Sequence, residues 1–405
     1  MASSAPQWKI PLSHPDFGDE EAAAVGAVLA SRWLSMGPEV AAFEAEFAQW
    51  LDADQPPHAV GVANATAALH LALLALGIGP GDEVIQPSLS FVAMANVTRL
   101  VGAMPVFCDI VAPQQPVACP RHAESLITPR TRALVVMAYG GMPPDMAAWS
   151  QLAQRHGLAL IEDACHGLGA QWCGRNLGLF GHVAAFSFFA NKNLVTGEGG
   201  MVVTGDAQLA ARLRLLRSHG MSSLTHERHH RLASTYDVTL HGMNVRLDEI
   251  RAALGRVQLR KLAAGNARRT DRLREYAVAL ESGPVTLPNA WSLDSLSGSQ
   301  RHGCHLMPVL VPPQASWFDL ARHLNHQGIQ TSHHYPPVHQ FTAFAPASAA
   351  LPYLPCTDDF AARQVTLPLW AGLTGDQVLL VASAVKAWPS ASQAYSASNE
   401  LFQNP

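Results

Sequence analysis

The sequence has few charges and few cysteines for its length. Only 14% of its 405 residues are charged, and the formal net charge is -4. It therefore lacks the basic surplus that favours binding to nucleic acid or to an anionic membrane. The six cysteines show no paired zinc-ligand spacing, and no N-terminal segment has the basic and apolar pattern of a secretory signal. Apolar stretches end well short of a membrane span. We therefore expect a reduced, cytoplasmic protein without nucleic-acid or membrane partners.

Two short motif matches lack the context that their functions require. His226, Glu227 and His230 spell HExxH, but HERHHR offers no apolar helix face and lies in a Ser/Thr/His-rich segment. The glycines of GIGPGD (77–82) follow a helical pattern, not a strand, and so predict a helix stop and a turn. We therefore predict no metal site, and neither a zinc enzyme nor an NAD-dependent enzyme has its sequence pattern here.

Strand and helix patterns alternate from about residue 56 to 260, which predicts an α/β fold with a largely parallel central sheet flanked by helices. After about residue 265 the pattern changes to a smaller α+β unit, with a strand in CHLMPVLV and a closing helix at 375–388. We predict three parts: an N-terminal segment with a large domain (1–262), a small C-terminal domain (263–390) and a loose polar tail (391–405).

A carboxylate and an amine follow two predicted strands of the large domain. LALIEDA (158–164) is apolar until it reaches Asp163, and AAFSFF (184–189) leads into Lys192. Lys192 alone would usually be a surface residue, but a buried carboxylate and a buried amine at neighbouring strand ends are what pyridoxal 5'-phosphate (PLP) requires. Phe91, more often a core residue when taken alone, offers a flat ring for stacking on a pyridine.

The segment VGVANATAALHLALLALGIG predicts a phosphate site at a helix N-terminus. Asn64 can cap the helix, and the N–H groups of Ala65, Thr66 and Ala67, with the Thr66 hydroxyl, form a local anion site. Ser187 can add a second hydroxyl. Each feature also has an ordinary explanation, because Asn-x-Thr is a common cap and a serine in a buried strand often bonds to backbone.

Substrate contacts are predicted from two further regions. Trp33 and Ser35, with Arg32 beside them, can reach substrate or simply pack the entry segment. In the small domain a polar and aromatic set can line a sugar or diphosphate pocket, although a structural role for most of its members is equally compatible with the sequence: His305, His333, His334, Tyr335 and His339.

Ordered segments over nearly the whole chain resemble the DegT/DnrJ/EryC1/StrS (sugar) aminotransferases, which are PLP-dependent enzymes of fold type I. The segments include SRWLSMGPEVAAFEAEFA, NATAALHLALLALGIGPGDEVI, IEDACHGLGA, FSFFANKNLVTGEGGMVVT, HGMNVRLDEIRAALGRVQLRKL, HHYPPVHQF and VTLPLW. The resemblance implies the PLP-dependent transferase fold, with a large domain built on a mostly parallel sheet and a smaller C-terminal α+β domain.

The resemblance also implies roles for individual residues. Lys192 looks like the Schiff-base lysine, Asp163 like the partner of the pyridinium nitrogen, and His166 like a contact to the ring hydroxyl. Asn244 matches an asparagine that such enzymes extend to the cofactor phosphate of the other subunit, which implies a homodimer with shared active sites. The remaining matches are phosphate and stacking contacts: Thr66, Ala67, Ser187 and Phe91.

Two positions depart from the family pattern. Ala65 stands where a glycine is common in the phosphate loop, which is tolerable if the position is helical. MAYGG (137–141) lacks the histidine that many relatives carry, so Tyr139 is named only as a substrate-contact candidate.

The resemblance implies a ping-pong transamination from glutamate or glutamine to a nucleotide-linked keto sugar. An amino transfer to a non-sugar ketone or cyclitol in natural-product biosynthesis remains open. So does a catalytically silent PLP-binding regulator, although the intact Lys192 and Asp163 argue against it. Related dehydratases carry His at the lysine position and are therefore disfavoured.

Overall fold

The computed structural model describes residues 8–223, 235–293, 299–345 and 351–389. The HExxH match and the predicted tail (391–405) therefore lie outside the described residues. Within these ranges no helix combines the length and the apolar character needed to cross a membrane. In the same ranges no three His, Cys, Asp or Glu side chains form a group that could hold a metal ion.

Eleven strands occupy the first part of the described chain, and seven of them form the central sheet. They are β1 His58–Val62, β2 Glu83–Pro87, β3 Met104–Cys108, β4 Ile110–Ala112, β5 Gln115–Ala118, β6 Thr131–Met137, β7 Ala159–Asp163, β8 Gln171–Trp172, β9 Arg175–Asn176, β10 Val183–Ser187 and β11 Gly200–Thr204. The central sheet has the order β1-β11-β10-β7-β6-β2-β3. Only β11 runs antiparallel to its neighbours in this sheet, so the predicted, mostly parallel sheet is confirmed.

Helices flank the sheet and build the C-terminal part. Those of the described chain are α1 Asp19–Ser31, α2 Pro38–Leu51, α3 Ala65–Ala75, α4 Ala93–Leu100, α5 Pro120–Ser125, α6 Met146–His156, α7 Ala207–Arg217, α8 Glu249–Leu280, α9 Trp317–His326, α10 Pro355–Arg363 and α11 Gly375–Lys386. Local chemistry sets several of their ends. Asp145 accepts a hydrogen bond from Ala148 N at the start of α6, and Gly157 ends that helix with a positive φ of 61°.

The register of the parallel strands brings their carboxyl ends to one edge. Asp163 of β7 lies opposite Met137 of β6 and opposite Ala185 of β10. Ser187 follows two residues later at the end of β10. Because parallel strands end on the same side of a sheet, these residues share the edge at which α/β folds place their chemistry.

The C-terminal part is an α+β unit. Strands β12 (Met307–Leu310) and β13 (Gln364–Leu367) pair antiparallel, and α9, α10 and α11 accompany them. Its apolar core also includes Tyr139 and Leu89 from the central-sheet side, so the two parts pack on a shared surface. The predicted boundary at residues 262–263 falls inside α8, a single helix of 32 residues. The division into two domains stays a prediction.

Glu249, the first residue of α8, holds the start of α2. Its carboxylate accepts hydrogen bonds from the N–H groups of Gly37 at 2.7 Å, Glu39 at 2.9 Å and Val40 at 3.0 Å, and the residue is only 2% exposed. We expect Glu249→Ala to lower the free energy of unfolding by about 1–3 kcal/mol, because it leaves buried donors unpaired. Chemical denaturation of the purified variant measures this loss.

Asp271→Ala provides the control on the same helix. It removes an exposed ion pair with Arg274, and such surface changes usually stay within about 0.5 kcal/mol. Equal unfolding free energies for the two variants would show that the Glu249 hydrogen bonds contribute nothing measurable.

Candidate active site

A cavity of about 370 Å³ opens at the carboxyl edge of the central sheet. Nine of the sequence-predicted site residues line it: Ala65, Thr66, Phe91, Asp163, His166, Ser187, Lys192, His334 and Tyr335. These residues come from five separate segments of the chain. The fold therefore brings together most of the site that the sequence predicts.

One end of the cavity is formed by the N-terminus of α3. Asn64 caps the helix by accepting a hydrogen bond from Ala67 N at 2.9 Å. The N–H groups of Ala65 and Thr66 belong to the first turn, where a helix offers its N–H groups no internal acceptor. Ala65 is helical, as the replacement of the family glycine requires. Two N–H groups and the positive end of the helix dipole therefore face the cavity, an arrangement suited to a phosphate.

Gly200 permits the close packing of β11 against this helix end. A Cβ atom at Gly200 would lie 2.7 Å from Asn64 C and 2.8 Å from Ala65 N. Any larger residue would therefore displace the backbone that presents the N–H groups. The glycine of the GEGG segment is required here for close approach of two backbones.

Asp163 lies at the end of β7 and is 4% exposed. Its Oδ1 accepts a hydrogen bond from Cys165 N at 3.2 Å. Burial raises the pKa of Asp163, while the hydrogen bonds from Cys165 and the positive charge of Lys192 oppose that rise. A second positive charge in contact with Asp163 would favour its ionised form further.

Lys192 lies in the turn that follows β10, where its backbone N–H donates to Phe189 O at 2.9 Å. Its side chain is half-buried and lines the cavity. Burial lowers the pKa of Lys192, and the nearby Cys165 and Asp163 oppose the change. A lower pKa increases the fraction of neutral amine, which is the nucleophilic form.

His166 lines the cavity and contacts Tyr335 from the C-terminal part of the chain. Gly140 N donates to its Nδ1 at 3.2 Å, so the proton of the neutral ring is on Nε2, which lies 3.0 Å from the hydroxyl oxygen of Tyr335. Burial lowers the pKa of His166 well below its usual value, and it lowers that of His334 to about 3. The cavity wall therefore presents neutral imidazoles beside the lysine.

Tyr139, a candidate for a substrate contact, does not line the cavity. It is 1% exposed, and its hydroxyl donates to the carbonyl oxygen of His334. Its ring packs against Phe360 and Trp291. Tyr139 therefore lies in the core shared by the two parts of the chain, where it supports the segment of His334.

Four other predicted contacts also lie outside the cavity lining of this chain. The N–H of Ala67 is taken by the Asn64 cap, and Ser35 pairs with Asp248 in an isolated bridge near Trp33. Asn244 is exposed and pairs with Ser218. Of these residues, only Asn244 was predicted to serve the cavity of another subunit.

Two histidines of the predicted sugar or diphosphate set have structural positions. His333 stacks on Trp317, with ring centroids 4.4 Å apart and an interplanar angle of 10°. His339 is 1% exposed and lies 2.7 Å from Ser88 Oγ through its Nδ1. For these two residues the structural explanation is the better one.

Three cavity residues with a polar or thiol side chain were not predicted as site residues from the sequence: Cys165, Asn191 and Glu198. Cys165 stands between the two predicted contacts Asp163 and His166, and Asn191 precedes Lys192, so proximity in sequence was an available signal for both. Glu198 follows in the glycine-rich segment. No spacing rule distinguishes these residues from their neighbours.

The residues present fit PLP. The cavity volume lies in the range of small-molecule sites, and its phosphate end combines two helix N–H groups with the hydroxyls of Thr66 and Ser187. Asp163 supplies a buried carboxylate and Lys192 a half-buried amine. Asn191 Oδ1 is a buried acceptor without a hydrogen-bond partner among the described residues. Phe91, at 55% exposure, offers its ring at the mouth. This set is typical of a PLP-dependent enzyme.

Comparison with known proteins gives the same class. The model of the DegT/DnrJ/EryC1/StrS aminotransferase family matches residues 15–386. A dTDP-3-amino-3,4,6-trideoxy-alpha-D-glucose transaminase of Streptomyces venezuelae is 38% identical over 96% of this chain and 98% of its own length.

Solved structures agree. DesV of Streptomyces venezuelae is 40% identical, with a TM-score of 0.82 over 91% of this chain and 94% of its own. The PLP form of Spr1654 from Streptococcus pneumoniae, a putative sugar aminotransferase, is 25% identical, with a TM-score of 0.85 over 93% of this chain and 97% of its own.

The fold and site thus define a PLP-dependent aminotransferase. The chain belongs to the DegT/DnrJ/EryC1/StrS aminotransferase family. The family resemblance, the fold class and the cofactor predicted from the sequence are confirmed.

Proposed function

We propose that this aminotransferase moves an amino group from glutamate or glutamine to a nucleotide-linked keto sugar in a ping-pong reaction, with Lys192 and Asp163 as its catalytic residues. The observation that carries the proposal is the joint position of the Lys192 amine and the Asp163 carboxyl in one cavity that ends at the N-terminus of α3. A cytoplasmic location remains part of this proposal.

The site residues have different roles according to their positions in the cavity. PLP supplies an aldehyde that condenses with amines and a ring that withdraws electrons. Asp163 would hold the proton on the ring nitrogen, because a carboxylate stabilises an adjacent positive charge. The first turn of α3, with Thr66 and Ser187, would bind the phosphate and so fix the ring relative to Lys192.

Lys192 would hold the cofactor covalently between turnovers and act as a base when it is free. Its Nζ would accept the proton from the α carbon of the donor and hold it for its return, from the position that the turn after β10 gives it. The keto acceptor would undergo the same steps in reverse. His166 would orient the ring hydroxyl from the neighbouring wall.

We include a homodimer in the proposal, with Asn244 of the partner subunit at the phosphate end of the cavity. Asn244 is exposed in its own chain, where it does not line the cavity. Phe91 and Phe189 line the cavity and remain 55% and 44% exposed. A second chain that covers this mouth would bury both rings and exclude water from the site.

The proposal of a sugar acceptor is based on the relatives of this chain. The Streptomyces venezuelae relative is named for a dTDP-linked amino sugar, which makes dTDP-linked keto sugars the first acceptors to test. The family also leaves room for non-sugar ketones. The test below therefore includes both.

Spectroscopy of the two half-reactions tests the proposal. Glutamate or glutamine should remove the visible absorbance of the lysine-bound cofactor, and a nucleotide-linked keto sugar added afterwards should restore it. The same protein is then given ketone analogues without a nucleotide and cyclitol ketones. Restoration by these compounds alone would contradict the sugar acceptor, and a spectrum unchanged by either donor would contradict the amino transfer from them.

A further inference from the structure

His305 lies directly against Lys192, although the two residues are far apart in sequence. Its Nε2 is 3.3 Å from Lys192 Nζ, and the histidine is only 4% exposed. It comes from the segment that leads into β12. The sequence suggested a sugar or diphosphate contact for His305, whereas the structure places its ring against the amine of Lys192.

A chain of hydrogen bonds fixes which nitrogen of His305 carries the proton. Asn193 Nδ2 donates to Gly303 O at 2.7 Å and to Asn266 Oδ1 at 2.8 Å. A flipped Asn193 amide would set its oxygen against the Gly303 carbonyl, so only the observed orientation is acceptable. Asn266 is held in turn, because its Nδ2 donates to Leu168 O at 3.0 Å.

The orientation of Asn193 determines the tautomer of His305. Asn193 Oδ1 lies 3.1 Å from His305 Nδ1, and an amide oxygen only accepts, so Nδ1 must donate. The lone pair of the neutral ring is then on Nε2 and faces Lys192. Burial, with the nearby charge of Lys192, holds the pKa of His305 well below its usual value, which keeps the ring neutral.

We infer that His305 is a positioning residue for Lys192, and that its Nε2 accepts an N–H of the free amine during turnover. The inference rests on the proposed role of Lys192. When the amine is free, one hydrogen bond to a fixed acceptor holds Nζ in place. The bond engages only one N–H, so the rest of the amine can still approach the substrate carbon. The network of Asn193 and Asn266 provides the rigidity that such a contact needs.

Other titratable side chains also face Lys192, and none of them has this arrangement. Asp163 and Cys165 approach from the end of β7, and His334 from the segment before β13. The ring of His166 lies 4.2 Å from that of His305, centroid to centroid, but its nitrogens are bonded to Gly140 and Tyr335. Among the described residues, His305 alone is recorded in a hydrogen bond with Nζ.

Chemical labelling of the apoenzyme tests the contact without cofactor or substrate. The rate at which an amine-selective reagent acylates Lys192 is followed against pH by mass spectrometry. Loss of the acceptor in His305→Leu destabilises the ammonium form, so we expect the pH midpoint of labelling to fall by about one pH unit. His305→Gln keeps an acceptor oxygen and should stay closer to the wild-type midpoint. His305→Asn is polar but too short to reach Nζ, so its midpoint should resemble that of His305→Leu. It is used in place of His305→Leu if the leucine variant does not fold.

Steady-state kinetics supply the second measurement. We expect kcat of His305→Asn to fall roughly ten- to a hundredfold, the cost of a misplaced reacting group, with KM for the donor changed by less than about twofold. His302→Gln is the matched control, because His302 is buried in the same segment and bonds to Cys304 N instead of Lys192. It should leave the labelling midpoint unchanged.

An unchanged midpoint in His305→Asn and His305→Leu would overturn the inference, and so would an equal shift in His302→Gln. Neither result would bear on whether Lys192 carries the cofactor, which is tested separately by its own substitution. Failure of the positioning role and failure of the proposed function are therefore distinguishable.

Discussion

Lys192→Ala is expected to lower turnover by roughly 10⁴- to 10⁶-fold, the scale on which loss of a covalent catalytic residue acts. Alanine can neither hold the cofactor nor move the proton at the substrate carbon. The visible band of the lysine-bound cofactor should be absent, while PLP can still bind through the first turn of α3. Absorbance spectra and an amino-transfer assay measure both effects.

Lys386→Ala is the control for this change. Lys386 is exposed at the end of α11 and does not line the cavity, so its removal should leave the spectrum and the rate unchanged. Ordinary turnover by Lys192→Ala would remove Lys192 from the mechanism.

Lys192→Ala also tests whether active sites are shared between subunits. In an equal mixture of Lys192→Ala and an inactive Asn244 variant, half of the dimers are mixed by chance. Each mixed dimer holds one site with both residues intact, so about a quarter of the wild-type activity should return. Activity no greater than the average of the two variants, after subunit exchange has been verified, would show that Asn244 does not serve the partner's site.

Asp163→Asn is the second change with a large expected effect. A carboxamide cannot stabilise the proton on the ring nitrogen as a carboxylate does, so the ring becomes a weaker electron acceptor. We expect kcat to fall by about 10²- to 10³-fold, as when one preorganised electrostatic group is removed from an active site. The spectrum of the bound cofactor and the rate of the donor half-reaction provide the measurement.

Glu162→Gln separates this effect from damage to β7. Glu162 is buried beside Asp163, but it accepts hydrogen bonds from Gly178, Phe180 and Gly181 N–H at 2.6–2.7 Å, away from the cavity. Its substitution should lower stability by about 1–3 kcal/mol and leave the cofactor spectrum as in the wild type. Equal losses of kcat in both variants would mean that Asp163→Asn lowers activity only by disturbing β7.

The central sheet and much of its active edge were predictable from local patterns. Apolar runs that end in Asp163 and lead into Lys192 define strands, and strand ends of a parallel sheet meet by geometry. Asn64 marks a helix start through short-range chemistry, and its predicted role as the cap is confirmed. The pair of Asp163 and Lys192 indicated PLP, and the family resemblance then implied the same cofactor.

Contacts between distant segments were not predictable in this way. The place of His305 depends on hydrogen bonds with Asn193 and through it with Asn266, residues far from His305 or from each other in sequence. Tyr139 was a candidate for a substrate contact through the family resemblance of MAYGG, but its side chain lies in the core with Phe360. Nothing local in MAYGG indicates which face of the strand end is buried.

The most direct measurement is to locate the cofactor on the chain. Borohydride reduction of the holoenzyme followed by peptide mass spectrometry should find the pyridoxyl group on Lys192, and prior addition of glutamate or glutamine should prevent the attachment. Attachment to Lys9, Lys261 or Lys386, or attachment to Lys192 that neither donor can displace, would contradict the account.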